Sequence, residues 1–103
     1  MNQKEIFSVL KQTGLPVTYA EWPQGVVPAL PYLVFIQDGD DRFLADDEVY
    51  GYTPNYMIEL YSKKKDYETE ETVKATLTYN KLIWQSIYEG RTDEGLYQSV
   101  FSI

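Results

Sequence analysis

The chain has 103 residues and a formal net charge of −7, with Lys plus Arg at 9 against Asp plus Glu at 16. That length suits one domain with one core, and the acidic surplus works against binding a phosphate backbone, which needs clustered cations. Cysteine and histidine are both absent, which excludes disulfide frameworks, zinc sites built on those ligands, and Cys–His or Ser–His–Asp nucleophile systems.

Residues 2–13 read as a short amphipathic helix. Asn2 is placed to cap it, Glu5 completes a capping-box pattern, and Ile6, Val9 and Leu10 form an apolar stripe. Gly14 and Pro16 end it. Val17 to Trp22 reads as a first strand. The apolar run Tyr32-Leu33-Val34-Phe35-Ile36-Gln37 reads as a central strand covered on both faces.

Asp38-Gly39-Asp40-Asp41 is a turn signal and opens a long excursion over residues 38–54, a long loop or a β-hairpin arm in which Phe43-Leu44-Ala45 could form a short strand. Asn55 to Ser62 alternates cleanly, with Tyr56, Ile58 and Leu60 on one face and Met57, Glu59 and Tyr61 on the other. Asp66 is a good N-cap for a second helix over 67–79, whose Glu68, Glu70 and Glu71 suit the positive helix end. Leu82–Glu89 and Leu96–Ile103 read as the last two strands, joined by residues 90–95.

The expected fold is a single α+β domain over 1–103. It is a sandwich with a mostly antiparallel or mixed sheet of four to six strands and two helices on one face. Its expected core is Ile6, Val9, Leu10, Val34, Ile36, Ile58, Leu60, Val73, Leu77 and Phe101.

No residue pattern points to catalysis. The acids between Asp38 and Glu48 fail the calcium-loop spacing, because Phe43 stands where glycine is needed and Val49 where the last glutamate is needed. No phosphate-binding glycine motif occurs, and nothing singles out a carboxylate pair among sixteen acids. The expectation is therefore a protein that is not an enzyme and needs no metal or cofactor. The N-terminus lacks a signal-peptide core, and Leu33-Val34-Phe35-Ile36, the longest apolar run, is too short for a bilayer. Both point to a soluble protein of a reducing compartment.

Ten tyrosines remain to be explained. Tyr suits half-buried sheet positions and interfaces, and Tyr50 and Tyr52 fall in the excursion, where little core is left to cover them. A compact domain seldom keeps so long a connection without a use for it. The candidate contact residues are Asp40, Arg42, Tyr50 and Tyr52, with Gly51 between the two rings allowing close approach. Segment 38–54 is expected to order on docking, the alternative being a plain β-arm folded on the domain. Lys63-Lys64-Lys65 reads as a solvated turn, with a small electrostatic docking patch as the alternative.

The run Tyr56-Met57-Ile58-Glu59-Leu60-Tyr61-Ser62-Lys63-Lys64-Lys65-Asp66 resembles the strand, Lys-Lys-Asp and acidic-helix sequence of tail-terminator or tail-completion proteins of long-tailed phages, the lambda U-like head–tail joining proteins. Thr13-Gly14-Leu15-Pro16-Val17, Leu30-Pro31-Tyr32-Leu33-Val34-Phe35 and the ending Gly95-Leu96-Tyr97-Gln98-Ser99-Val100-Phe101-Ser102-Ile103 extend the resemblance over most of the chain. It implies a virion structural protein that forms a ring, often hexameric, at the head-proximal end of the tail tube. Its partners would be the tail-tube protein and the head connector protein, and it would pass through the bacterial host cytoplasm during assembly. No specific nucleic-acid or membrane binding is implied. Six copies at −7 each would carry −42, so self-repulsion predicts a monomer in dilute solution, with the ring forming on the tube. A head-closure or stopper protein of the same connector, and a cellular protein-interaction adaptor, remain as alternatives.

Overall fold

The computed structural model describes residues 1–45 and 48–103, with side chains described for 1–39 and 54–103. Two helices and a five-stranded mixed sheet make an α+β domain: α1 (Gln3–Lys11), β1 (Val17–Tyr19), β2 (Tyr32–Ala45), β3 (Glu48–Ser62), α2 (Tyr67–Tyr79), β4 (Gln85–Arg91) and β5 (Tyr97–Ser102). The strand order is β1-β2-β3-β5-β4. β1 runs parallel to β2, and every other pairing is antiparallel.

Both helices begin as their cap residues dictate. Asn2 Oδ1 accepts the Glu5 N–H at 2.8 Å while Glu5 Oε1 accepts the Asn2 N–H at 3.0 Å, a reciprocal capping box. Asp66 accepts from the backbone and the hydroxyl of Thr69 at 3.2 and 2.7 Å. At the far end of α2 the Asn80 side-chain amide donates to Gln12 Oε1 and to the Thr76 carbonyl, tying the second helix to the end of the first. The helices cover one face of the sheet. Ile6, Val9 and Leu10 of α1 and Val73 and Leu77 of α2 meet Leu33, Phe35, Tyr56, Ile58, Leu60 and Phe101.

The register on β2 differs from the sequence expectation. Leu33 pairs with Leu60 and Phe35 with Ile58, so Leu33 and Phe35 are the residues that face the helices. Val34 is buried on the opposite face, and Ile36, expected in the core, is 37% exposed. Because successive side chains alternate, choosing the wrong member of an all-apolar run exchanges the two faces.

Two strand boundaries also move. β1 stops at Tyr19 rather than Trp22, where Ala20 takes φ 67°. β4 starts at Gln85 rather than Leu82, because Lys81 takes φ 61° and the Leu82 N–H turns back to the Leu77 carbonyl. This leaves Ile83 in solvent.

Phe43-Leu44-Ala45 are extended, as the far end of β2 and not as a strand of their own. β2 and β3 run on into the excursion, pairing from Asp40 with Pro54 to Ala45 with Glu48, with register shifts after Gln37 and after Phe43. β1 pairs with β2 only at residues 33–35, and β5 pairs with β3 only at residues 57–62. The far parts of β2 and β3 therefore project as a two-stranded arm, and the molecule measures 49 × 30 × 24 Å.

Candidate functional site

Two regions of this fold draw attention. The first is the arm. The backbones of Asp40 and Arg42 belong to β2 and those of Tyr50 and Tyr52 to β3, with Arg42 directly opposite Tyr52. Their side chains lie outside the described residues, as do the acids from Asp40 to Glu48.

The second lies on the sheet face turned away from the helices. Here Tyr32 and Val34 of β2, Glu59 and Tyr61 of β3, and Gln98 and Val100 of β5 stand side by side, because Glu59 pairs with both Val34 and Val100, and Tyr61 with both Tyr32 and Gln98. The segment after β1 and the β4–β5 turn rise on either side. Together they enclose a cleft of about 230 Å³ walled by Glu21, Glu94 and Leu96. Trp22 packs edge-on to Tyr32 with ring centres 5.5 Å apart, and Tyr32 lies at the same distance from Tyr61. This end of β2 is thus covered on both faces, as its apolar sequence implies.

A carboxylate in the middle of this face is costly. Gln98 Nε2 donates to Glu59 Oε2 at 3.2 Å and to the Tyr61 hydroxyl oxygen at 3.0 Å, while that hydroxyl sits 3.5 Å from both Glu59 oxygens. Partial burial still raises the Glu59 pKa, against the lowering effect of the Tyr61 and Gln98 hydrogen bonds. Burial, followed by the Glu59 charge, pushes Tyr61 up to about 12. Burial and then the Glu94 charge raise Tyr32. Among the described residues none of Glu21, Glu59 and Glu94 makes an ion pair.

A raised folded-state carboxylate pKa means that stability falls as pH climbs from the ordinary carboxylate range through the folded value. Glu59→Gln keeps an acceptor for Gln98 and removes the charge. It should therefore raise the thermal midpoint at pH 7 and flatten the midpoint's dependence on pH above 4. A lower midpoint at pH 7 with an unchanged pH profile would show that Glu59 is comfortably charged in the fold.

The lysine run resolves into separate roles. Lys65 Nζ reaches Glu70 Oε1 at 3.1 Å and Glu89 Oε2 at 3.0 Å, and sits 5.6 Å above the Tyr97 ring. The Tyr97 hydroxyl donates to Glu89 Oε1 at 3.0 Å. Glu70, one of the acids in the first turns of α2, is buried. Lys65 therefore ties α2 to β4 and β5, whereas Lys63 and Lys64 make no ion pair among the described residues.

Among the described residues no group of three or more acids is gathered closely enough to hold a metal ion. Within the same residues no helix is long and apolar enough to cross a membrane. No protein-family model matches the chain, and no curated protein matches it.

Proposed function

We propose that this chain is a phage structural protein, a tail terminator that caps the tail tube and joins it to the head connector. The observation that supports this reading is the arm. A two-stranded hairpin is marginal in water unless a third strand or another layer covers it, and beyond Gln37 and Asn55 neither strand has another strand beside it among the described residues. A neighbouring subunit in a ring would supply that cover. The sequence there offers Tyr50 and Tyr52 as anchors and Asp40 and Arg42 as polar contacts, the mix that interfaces favour. Nothing in the reading calls for catalysis or a cofactor.

Purified protein should sediment as a monomer across a salt series and form rings only on tail tubes. Tyr50→Ala and Tyr52→Ala should leave the monomer folded and should each sharply reduce the fraction of capped tubes seen by electron microscopy. A stable hexamer at low salt and micromolar concentration would contradict the electrostatic argument. Normal capping by both variants would move the contact off the arm.

A further inference from the structure

We propose that the open edge of β4 is the seat for the arm of a second copy of this chain, whose β3 strand adds to the sheet there and joins the two copies head to tail. The inference rests on the ring reading of the arm and names the surface that receives it.

Backbone accounting sets the requirement. β4 is the last strand of the sheet and pairs only with β5 among the described residues, so its outward N–H and C=O groups have no strand to bond to. The opposite edge is β1, which is three residues long. β4 covers seven, Gln85–Arg91, and holds neither proline nor lysine, the residues that commonly guard an edge. A register shift between Ser86 and Tyr88 is its one irregularity. Ile83, just ahead of the strand, is 92% exposed, and Ile87 and Tyr88 are 47% and 51% exposed. Apolar surface thus accompanies the open backbone.

The arm supplies what this edge lacks. Its β2 strand brings Asp40, Asp41 and Arg42, charges that guard an edge, whereas its β3 strand brings Val49-Tyr50-Gly51-Tyr52-Thr53 with no charge after Glu48. The two charges of β4 are already engaged within its own chain. Glu89 bonds to Lys65 and Tyr97, and Arg91 donates to the carbonyls of Lys63 and Gly95. In a chain of net charge −7, these two edges can therefore meet without like charges set opposite each other. Main-chain bonds hold the added strand, and the exposed side chains beside it set its fit.

An arm cannot serve the β4 of its own chain. Through β5, Gln85 stands level with Met57 and Arg91 level with Ser62. β4 thus lies beside residues 57–62, and the arm leaves that stretch from the Met57 end and runs away from it. A contact between two different surfaces of identical chains is heterologous, the kind that repeats round a ring.

The test mixes two half-disabled chains. Ile87→Lys puts a guard on β4 and leaves the arm intact; the double variant Tyr50→Ala, Tyr52→Ala weakens the arm and leaves β4 intact. Because the dilute chain is expected to be monomeric, sedimentation is run at millimolar concentration in high salt, where a weak contact is populated and self-repulsion is screened. Wild type should form oligomers that grow with concentration, each variant alone should stay monomeric, and their equimolar mixture should stop at dimers. Should Ile87→Lys lose the dispersed amide spectrum of the fold, Tyr88→Lys takes its place. A monomeric wild type would overturn the proposal, as would a mixture no larger than its components. Dimers of the arm variant alone would reveal pairing of β4 with β4, dimers of the β4 variant alone would reveal pairing of arm with arm, and either would reject the contact as stated. Tail tubes separate this inference from the reading it rests on. Normal capping by Ile87→Lys, with capping lost in the arm variants, would leave the tail terminator and reject the β4 seat. Dimers in the mixture, with normal capping by the arm variants, would keep the seat and reject that reading.

Discussion

Phe35→Ala should cost about 3–5 kcal/mol, whereas Ile36→Ala, one residue along the same strand, should cost about 1 kcal/mol or less. Phe35 is fully buried and meets three rings, edge-on to Tyr19 at 5.1 Å and tilted against Phe7 and Tyr56 at 6.4 and 6.2 Å. Removing it takes away the contact on which α1, β1 and β3 converge. Small domains hold roughly 5–15 kcal/mol in total, so the Phe35 variant should sit near its unfolding transition at 37 °C. Ile58→Ala and Leu60→Ala, at fully buried positions facing Phe35 and Leu33, should fall at about 2–5 kcal/mol. Urea midpoints at constant slope would measure all four. Equal losses at Phe35 and Ile36 would mean that the strand register is wrong.

That comparison also marks where sequence pattern stops being informative. β3 was legible because its polar residues alternate with apolar ones, so Tyr56, Ile58 and Leu60 could only face inward. Over Tyr32–Ile36 every residue is apolar, and either set satisfies the period of two. The partner strand and the helices decide it. The capped starts of both helices were legible because they are local: a side chain bonds to backbone three residues away. The start of β4 was not, since Leu82 and Trp84 pack on the core from a loop, and apolar residues holding a loop down read like a strand.

The acidic cleft was invisible for a related reason. Glu21, Glu59 and Glu94 lie more than thirty residues apart in sequence and meet only because β2 and β3 are neighbours flanked by two loops. Glu59 carried one faint signal, as the lone acid in the otherwise apolar and aromatic run Tyr56–Tyr61. The arm was legible as a long polar excursion ending in tyrosines. Its backbone pairing shows that polar residues in a turn-rich stretch can still extend two strands when each is the other's neighbour.

Lys65→Met should lower the thermal midpoint at pH 7 well beyond Lys63→Met or Lys64→Met, although the three lysines are adjacent in sequence. Glu70 is the reason. Its side chain is 5% exposed, and Lys65 bonds to both of its oxygens, at 3.1 and 3.2 Å. Methionine preserves the aliphatic stem but leaves that carboxylate buried without a counter-charge, which is the damaging way to break such a pair. The pH dependence follows from the partners. Lys65 is raised above the usual lysine range by its hydrogen bonds to Glu89 and then Glu70, so its contribution is lost only at strongly alkaline pH. Glu89 is lowered by Lys65 and then by Tyr97, so its contribution is present at neutral pH and lost as pH falls through its depressed folded value. The gap between wild type and Lys65→Met should therefore be widest near neutrality and narrow in acid, as Glu89 takes up its proton. Lys63→Met and Lys64→Met should track wild type at every pH, since neither lysine has an acidic partner among the described residues. Should all three variants melt together at pH 7, the tie between α2 and the β4–β5 edge would be no stronger than an ordinary surface ion pair, and the burial of Glu70 would need another source of compensation.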